Sequence, residues 1–353
     1  MICHEEVISE GIVYTKYKAS LPPLTIHVVT IKANCVHPQL IPAHGQREEV
    51  SSMAQRVQAA VAINGANYRR GGKYNGNRVN LCCIQDLLYA DPCYWRGSLV
   101  WNIKQKQWVI DLVTSSVELI IGNKKFLVDG INQPRGIDQS TLYTPQDPGC
   151  LFHNQAYQVR ISNDSVESIT TELPLAPYDG FIYQTDDIKN IEVGMEARFT
   201  YNLKTKKTTL DQPTFALGGA GLLLKNGVLC TPLLDDEFSQ GTPLIHTGDE
   251  AAADFYEQDQ RDLLISIPHP RTALGIDSNN TVFLVVVDGR QPSSLGLTLH
   301  DLAIFMRSLG CLDAINLGGG GCSTLYCNGK VMNNPCQSVE RPVSEALCFF
   351  NHF

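Results

Sequence analysis

The chain has 353 residues, 43% hydrophobic and 18% charged, with 28 basic and 36 acidic residues giving a net charge of −8. This is the composition of a packed globular protein, not a disordered one. No Lys/Arg run offers the basic stripe that a nucleic-acid backbone requires, and apolar runs such as Val282–Val287 fall far short of the roughly 20 residues that cross a bilayer, so neither nucleic acid nor a membrane span is expected.

The first eleven residues, MICHEEVISEG, contain no apolar run of signal-peptide length. As written, the chain is expected in the cytoplasm, or secreted if it is a trimmed mature form. Residues 24–31 (LTIHVVTI) are rich in β-branched side chains and predict a strand. Ser51 and Ser52 are candidate caps for a helix through Met53, Val57 and Ala60, which leads into a strand ending at Asn64–Gly65. Residues 69–78 (RRGGKYNGNR) hold three glycines and demand a loop. Hairpins are expected over 101–113 and around Gly122–Asn123.

The middle alternates over 158–169, and residues 197–210 (ARFTYNLKTKKTTL) predict a hairpin with a charged tip. A glycine-broken apolar stretch over 215–230 closes on an Asn-Gly turn, and the acidic segment 234–261 predicts a surface loop. In the last third, residues 281–290 (TVFLVVVDGR) predict a buried strand ending in Asp-Gly. Thr298 is placed to cap a helix with an inward stripe of Leu299, Leu302, Ala303 and Met306, stopped by Gly310. A short strand at 314–317, four glycines at 318–321, a hairpin turning at Asn328–Gly329 and a final strand (ALCFF) follow. Strands with two or three helices predict an α+β fold: a single domain over 1–353 with mixed or antiparallel sheets and a few packed helices. Its motif-bearing parts are 10–140 and 215–353, around a strand-rich middle at 150–215.

Twelve cysteines are scattered along the chain without zinc-site spacing. They predict mostly buried free thiols, with disulfides the alternative in an oxidising compartment. Sequons at Asn163 and Asn279 bear on function only in a secreted protein.

Polar residues gather where predicted strands end: Asn64 with Arg69, Arg70 and Arg78; Asn132, Arg135 and Asp138; Arg271; Asp288, Arg290, Ser294 and Gly296; Ser323 and Thr324 after the glycines; and Glu340 with Arg341. Glycines without Cβ let successive backbone N–H groups converge into an anion nest, here Gly319, Gly320 and Gly321, with Ser323 and Thr324 adding hydroxyls. Arginine forks suit phosphate oxygens. The alternative is a tight turn that needs glycine for its backbone angles. No GxGxxG precedes a helix and no Lys lies beside Ser323, so this is not a nucleotide loop. Asp288 is a candidate acid/base or nucleophile, or a turn residue; Arg271 and Arg341 are phosphate ligands or ion-pair partners. His269 reads as a loop histidine and Cys322 as a small filler.

These motifs, taken in order, resemble the phosphodiester glycosidase family. The resemblance is carried by Arg271–Thr272–Ala273–Leu274–Gly275, Val287–Asp288–Gly289–Arg290, Ser294–Leu295–Gly296–Leu297–Thr298, Leu302–Ala303, NLGGGGCST and Glu340–Arg341–Pro342–Val343. It is supported by ING at 63–65, YNGNRV at 74–79 and NQPRG at 132–136. It implies hydrolysis of the bond between an N-acetylglucosamine-type sugar and a phosphodiester, with a small-molecule or glycan sugar-phosphate as substrate and no cofactor; metal dependence stays open. It implies Asp288, Arg271 and Asn64 as catalytic residues. The phosphate then falls to Gly319, Gly320, Gly321, Ser323, Thr324, Arg290, Arg341, Arg78 and Arg135. Two positions of the NLGGGGCST segment depart from the family pattern: Gly318 stands where the family has Asp, and Cys322 where it has its first Ser; Ala220 and Gly221 are off pattern in an earlier glycine stretch. A second expectation follows, a catalytically impaired homologue that binds a phosphorylated sugar.

Overall fold

The computed structural model describes residues 2–33, 35–68, 76–85, 87–91, 95–132, 138–145, 156–172, 177, 179–210, 213–219, 221–230 and 265–351. Among the described residues strands account for 53% and helices for 8%, so the structure is mostly β and the α+β expectation is corrected. The physical reason lies in the apolar patterning. Outside Val50–Arg56 and Leu299–Ser308, the apolar runs of the described residues pair as strands.

An antiparallel eight-stranded sheet joins the first three strands of the chain to strands of its last third. Its order is Ile2–Ser9, Ile12–Ser20, Pro23–Ile31, Val282–Val287, Arg271–Ile276, Asp313–Asn316, Leu222–Lys225, Val228–Leu229. The strand Val282–Val287 is buried at every position because it lies mid-sheet with both faces covered. One face packs under Leu299–Ser308, whose Leu299, Leu302, Ala303 and Met306 are buried as the period-3.6 stripe requires. Each large side chain of that stripe contributes about 1.5–3 kcal/mol of burial. Thr298 Oγ1 accepts from Asp301 N at 3.0 Å, and Gly310 ends the helix at φ 91°.

The other face packs against a five-stranded sheet ordered Lys330–Val331, Leu325–Cys327, Val61–Asn64, Glu345–Asn351, Val36–Pro42. Helix Val50–Arg56 covers this second sheet. It is shorter than expected, and its cap is Glu49, without a side-chain cap bond, rather than Ser51 or Ser52. A second hydrophobic core joins two further sheets built largely from residues 82–218. The hairpin of Arg96–Asn102 with Gln107–Ile121, the Gly122 turn and the Asn328–Gly329 turn form as expected. The acidic segment 234–261 lies outside the described residues. Ten described cysteines carry free thiols, seven of them buried.

What positions the site is one connection. The chain leaves the first sheet at Asn316 and enters the second at Leu325, and the tetraglycine bend makes that crossing. Strand ends carrying Asn64, Arg271, Asp288 and Glu345 meet beside it.

Candidate active site

The bend runs close to other backbone. A Cβ on Gly318 would lie 2.8 Å from Ala66 O, and one on Gly319 3.0 Å from Pro270 O; Gly320 has φ +65°. Glycine is required here for contact and conformation together. The N–H groups of Gly318, Gly320, Cys322, Ser323 and Thr324 are spent inside the chain, on Gly65 O, Pro270 O, Gly319 O, Gly320 O and Asn64 Oδ1. A nest of successive free N–H groups is therefore not what the glycines build. They let two guanidinium groups approach: Arg290 Nη1 lies 3.4 Å from a Cβ position on Gly320, and Arg341 Nη2 2.3 Å from one on Gly321. Arg341 is steadied by Gln337 Oε1 at 3.1 Å and touches Cys322 Sγ at 3.9 Å. Ser323 and Thr324 follow directly, and their buried hydroxyls have no hydrogen-bond partner among the described residues.

Behind Arg290 sits His269, whose Nδ1 accepts from Arg290 Nε and Nη2 at 3.3 and 3.2 Å. Burial first, then Arg271 and Arg290, push its pKa down to about 4, so the ring is neutral at pH 7. Arg271 is 3% exposed and donates to Leu297 O and Ile267 O at 2.9 and 3.2 Å. Burial and the nearby Arg290 lower its pKa to about 9, which still leaves it a cation. Arg271, Arg290 and Arg341 thus gather positive charge around the bend in a protein whose net charge is negative.

Asp288 ends the strand Val282–Val287, two residues before Arg290. Its Oδ1 accepts Asn334 N at 2.9 Å and its Oδ2 faces His27 Nε2 at 3.2 Å. Ser294 ties this turn, donating to Asp288 O at 2.6 Å and accepting Thr25 N at 3.0 Å. Gly296, at φ +100°, packs 2.4 Å from the His269 backbone as measured from a Cβ position. Asn333 connects the turn to the bend, donating to Ser323 O at 3.0 Å and accepting Leu325 N at 2.8 Å.

Asn64 is a pin. Its Nδ2 donates to Gly318 O and Gly65 O at 2.7 and 3.1 Å, and its Oδ1 accepts Thr272 Oγ1 and Thr324 N at 2.8 and 3.1 Å. All four hydrogen-bonding positions of the amide are used, so it holds the bend to both sheets. Arg78 is also engaged. It pairs with Glu345 Oε2 at 2.8 Å, donates to Ser344 O at 2.9 Å, and covers the Tyr89 ring at 4.9 Å. Glu340 accepts Ser51 N at the start of helix Val50–Arg56. Asn132 Nδ2 donates to Tyr89 O and Thr144 Oγ1, an internal turn contact. Arg69, Arg70 and Arg135 lie outside the described residues.

Sequence reasoning missed His27, Tyr14, Asn333 and Asn334. The signal for His27 was a lone imidazole in an otherwise apolar strand, LTIHVVTI, opposite Val286 in register.

Comparison with known proteins adds to this geometry. The chain belongs to the phosphodiester glycosidase family, whose model matches residues 155–350, more than half of its length. That span holds Arg271, Asp288, Arg290, the bend and Arg341; Asn64 and Arg78 precede it. A SPbeta prophage-derived uncharacterized protein, YomE, of Bacillus subtilis (strain 168) is 39% identical over 83 residues, 24% of this chain and 13% of that protein. N-acetylglucosamine-1-phosphodiester alpha-N-acetylglucosaminidase of Mus musculus is 35% identical over 91 residues, 24% of this chain and 17% of the enzyme. The matched segment spans less than a fifth of either relative. A hypothetical protein from Synechocystis shares the fold, with TM-score 0.79 and 17% identity over 100% of this chain and 64% of the other. A putative exported protein from Burkholderia pseudomallei does too, with TM-score 0.75 and 20% identity over 93% and 74%. No described helix is long and apolar enough to cross a membrane.

Proposed function

We propose that the chain hydrolyses the glycosidic bond of a sugar-1-phosphodiester, with an N-acetylglucosamine-type sugar. The observation carrying this reading is the approach of Arg290 and Arg341 to Gly320 and Gly321 of the family-matched bend, beside two buried hydroxyls without a partner among the described residues. A phosphate group between two guanidinium forks gains charge-assisted hydrogen bonds. These strengthen as the sugar C1–O bond breaks and its electron pair moves onto the phosphate oxygen, so they favour the transition state over the bound substrate. Asp288 is the carboxylate assigned to the positive charge developing at C1. Each of its oxygens makes one hydrogen bond and keeps a lone pair for the reaction. Water then adds to C1, and the products are the free sugar and a phosphomonoester.

Gly318 favours a second reading, a homologue that binds the phosphorylated sugar and turns it over slowly or not at all. An aspartate in its place would set its Cβ 2.8 Å from Ala66 O and add a negative charge beside the bend. A chromogenic N-acetylglucosamine-1-phosphodiester separates the two. The hydrolase reading expects turnover that Asp288→Asn abolishes in protein that still folds. Binding without turnover, with none gained in Gly318→Asp, supports the second.

A further inference from the structure

Three polar side chains form a line through apolar surroundings. Tyr14 Oη lies 2.8 Å from His27 Nδ1, and His27 Nε2 lies 3.2 Å from Asp288 Oδ2. Their relative exposures are 4%, 0% and 6%. The register explains the line. His27 pairs with Val286, Tyr14 with Val29, and Asp288 lies two residues beyond Val286, so all three share one sheet face and step diagonally across three adjacent strands. Tyr14 packs in the core cluster that also holds Val29, Ile31, Leu284 and Val286. A polar triplet in such a place costs desolvation that leucine and phenylalanine would avoid. Asp288 and its turn are already fixed by Asn334, Ser294 and Thr25, so the fold does not require the imidazole to hold the main chain there.

We propose that His27 is a positioning residue for Asp288, holding the proton on Nε2 and donating it to the carboxylate, and that Tyr14 selects this tautomer by donating to Nδ1. The proposal rests on the hydrolase reading for its effect on rate, and on the geometry alone for the tautomer. An ionised carboxylate only accepts hydrogen bonds, so Nε2 must be the donor, and the bare Nδ1 then needs the phenol proton. Tyr14 retains that proton: burial and then Asp288 raise its pKa to about 12. Anchored through Oδ2 by His27 and through Oδ1 by Asn334 N, the carboxylate keeps one orientation instead of rotating among alternatives.

The test uses the full-length chain with ¹⁵N-labelled histidine, the His27 signals assigned by their loss in His27→Gln. Long-range ¹H–¹⁵N spectra are expected to show Nε2 protonated and Nδ1 bare, with Tyr14→Phe weakening that preference. An unprotonated Nε2 in the wild type overturns the proposal. With the chromogenic phosphodiester, His27→Leu is expected to lower kcat about 10- to 100-fold, the range for losing a hydrogen bond to a charged group, with KM little changed. His27→Gln, whose amide N–H can reach Asp288, should recover most of it, and Tyr14→Phe should lose about tenfold. Should His27→Leu not fold, the Gln and Phe variants decide alone. A His27→Leu enzyme with wild-type kcat, or a Gln variant as slow as Leu, overturns the positioning role. If the wild type turns nothing over, the hydrolase reading fails, and the tautomer still decides the proposal.

Discussion

Replacing Gly321 with alanine puts a Cβ 2.3 Å from Arg341 Nη2 and 2.4 Å from its Cζ. These are the far end of a flexible side chain, so the guanidinium swings away and the backbone stays. Gly321 is not in the left-handed region, so the alanine adds no strain of its own. The stability cost should sit near the low end of overpacking, about 1 kcal/mol. Binding should suffer more. A hydrogen bond to a charged partner contributes about 1.5–3 kcal/mol, and 1.4 kcal/mol is tenfold in Kd, so affinity for N-acetylglucosamine-1-phosphate should fall about 10- to 100-fold. Calorimetric titration measures the Kd, and a thermal melt run in parallel separates binding from folding. Gly320→Ala is the contrast. It sits at φ +65°, where a non-glycine residue costs about 1–2 kcal/mol, so its melt should drop as well. A Gly321→Ala protein that binds the sugar-phosphate within twofold of wild type would refute the placement of Arg341 at the phosphate.

Arg78→Ala should behave oppositely: breaking its buried pair with Glu345 costs about 3–5 kcal/mol in a denaturant titration, while the folded fraction keeps its affinity. His269 has a folded pKa of about 4, below its ordinary 6.5, so the folded protein binds fewer protons than the unfolded chain between these values. Its contribution to stability is complete above pH 6.5 and is lost as pH falls toward 4. An NMR titration should place its midpoint near 4, and a midpoint at 6 or above would contradict the half-buried setting of the ring beside Arg271 and Arg290. Gly318→Asp meets backbone rather than a side-chain tip, at 2.8 Å from Ala66 O and 3.0 Å from Gly65 O, so the 65–66 segment must retreat. A loss of about 1–3 kcal/mol is expected in denaturant, and an unchanged midpoint counts against the close approach.

Local signals were legible where one residue type has one physical use. Thr298 before an amphipathic run, Asn328–Gly329 between short strands and the all-apolar 282–287 segment each formed the predicted element. The fold class was misjudged because pairing between distant strands, such as Val28 with Val285, leaves no mark on either stretch alone. The same limit governed the site. Asp288, Arg290, Arg341 and the glycines were visible as strand-end residues, and the two arginines do approach the glycines. Asn64 and Arg78 were equally visible, yet their hydrogen bonds to Gly318 O, Thr324 N and Glu345 are long-range contacts that turn them inward as supports. His27 was hidden by its own strand, since only the register with Val286 and the position of Asp288 two residues later give it a partner.

A crystal structure with a non-hydrolysable sugar-1-phosphonate tests the core of this account. The phosphonate oxygens should lie within hydrogen-bond distance of both Arg290 and Arg341, over Gly320 and Gly321, with the sugar C1 facing Asp288. A ligand seated elsewhere, with both guanidinium groups still resting on bare glycines, would contradict it.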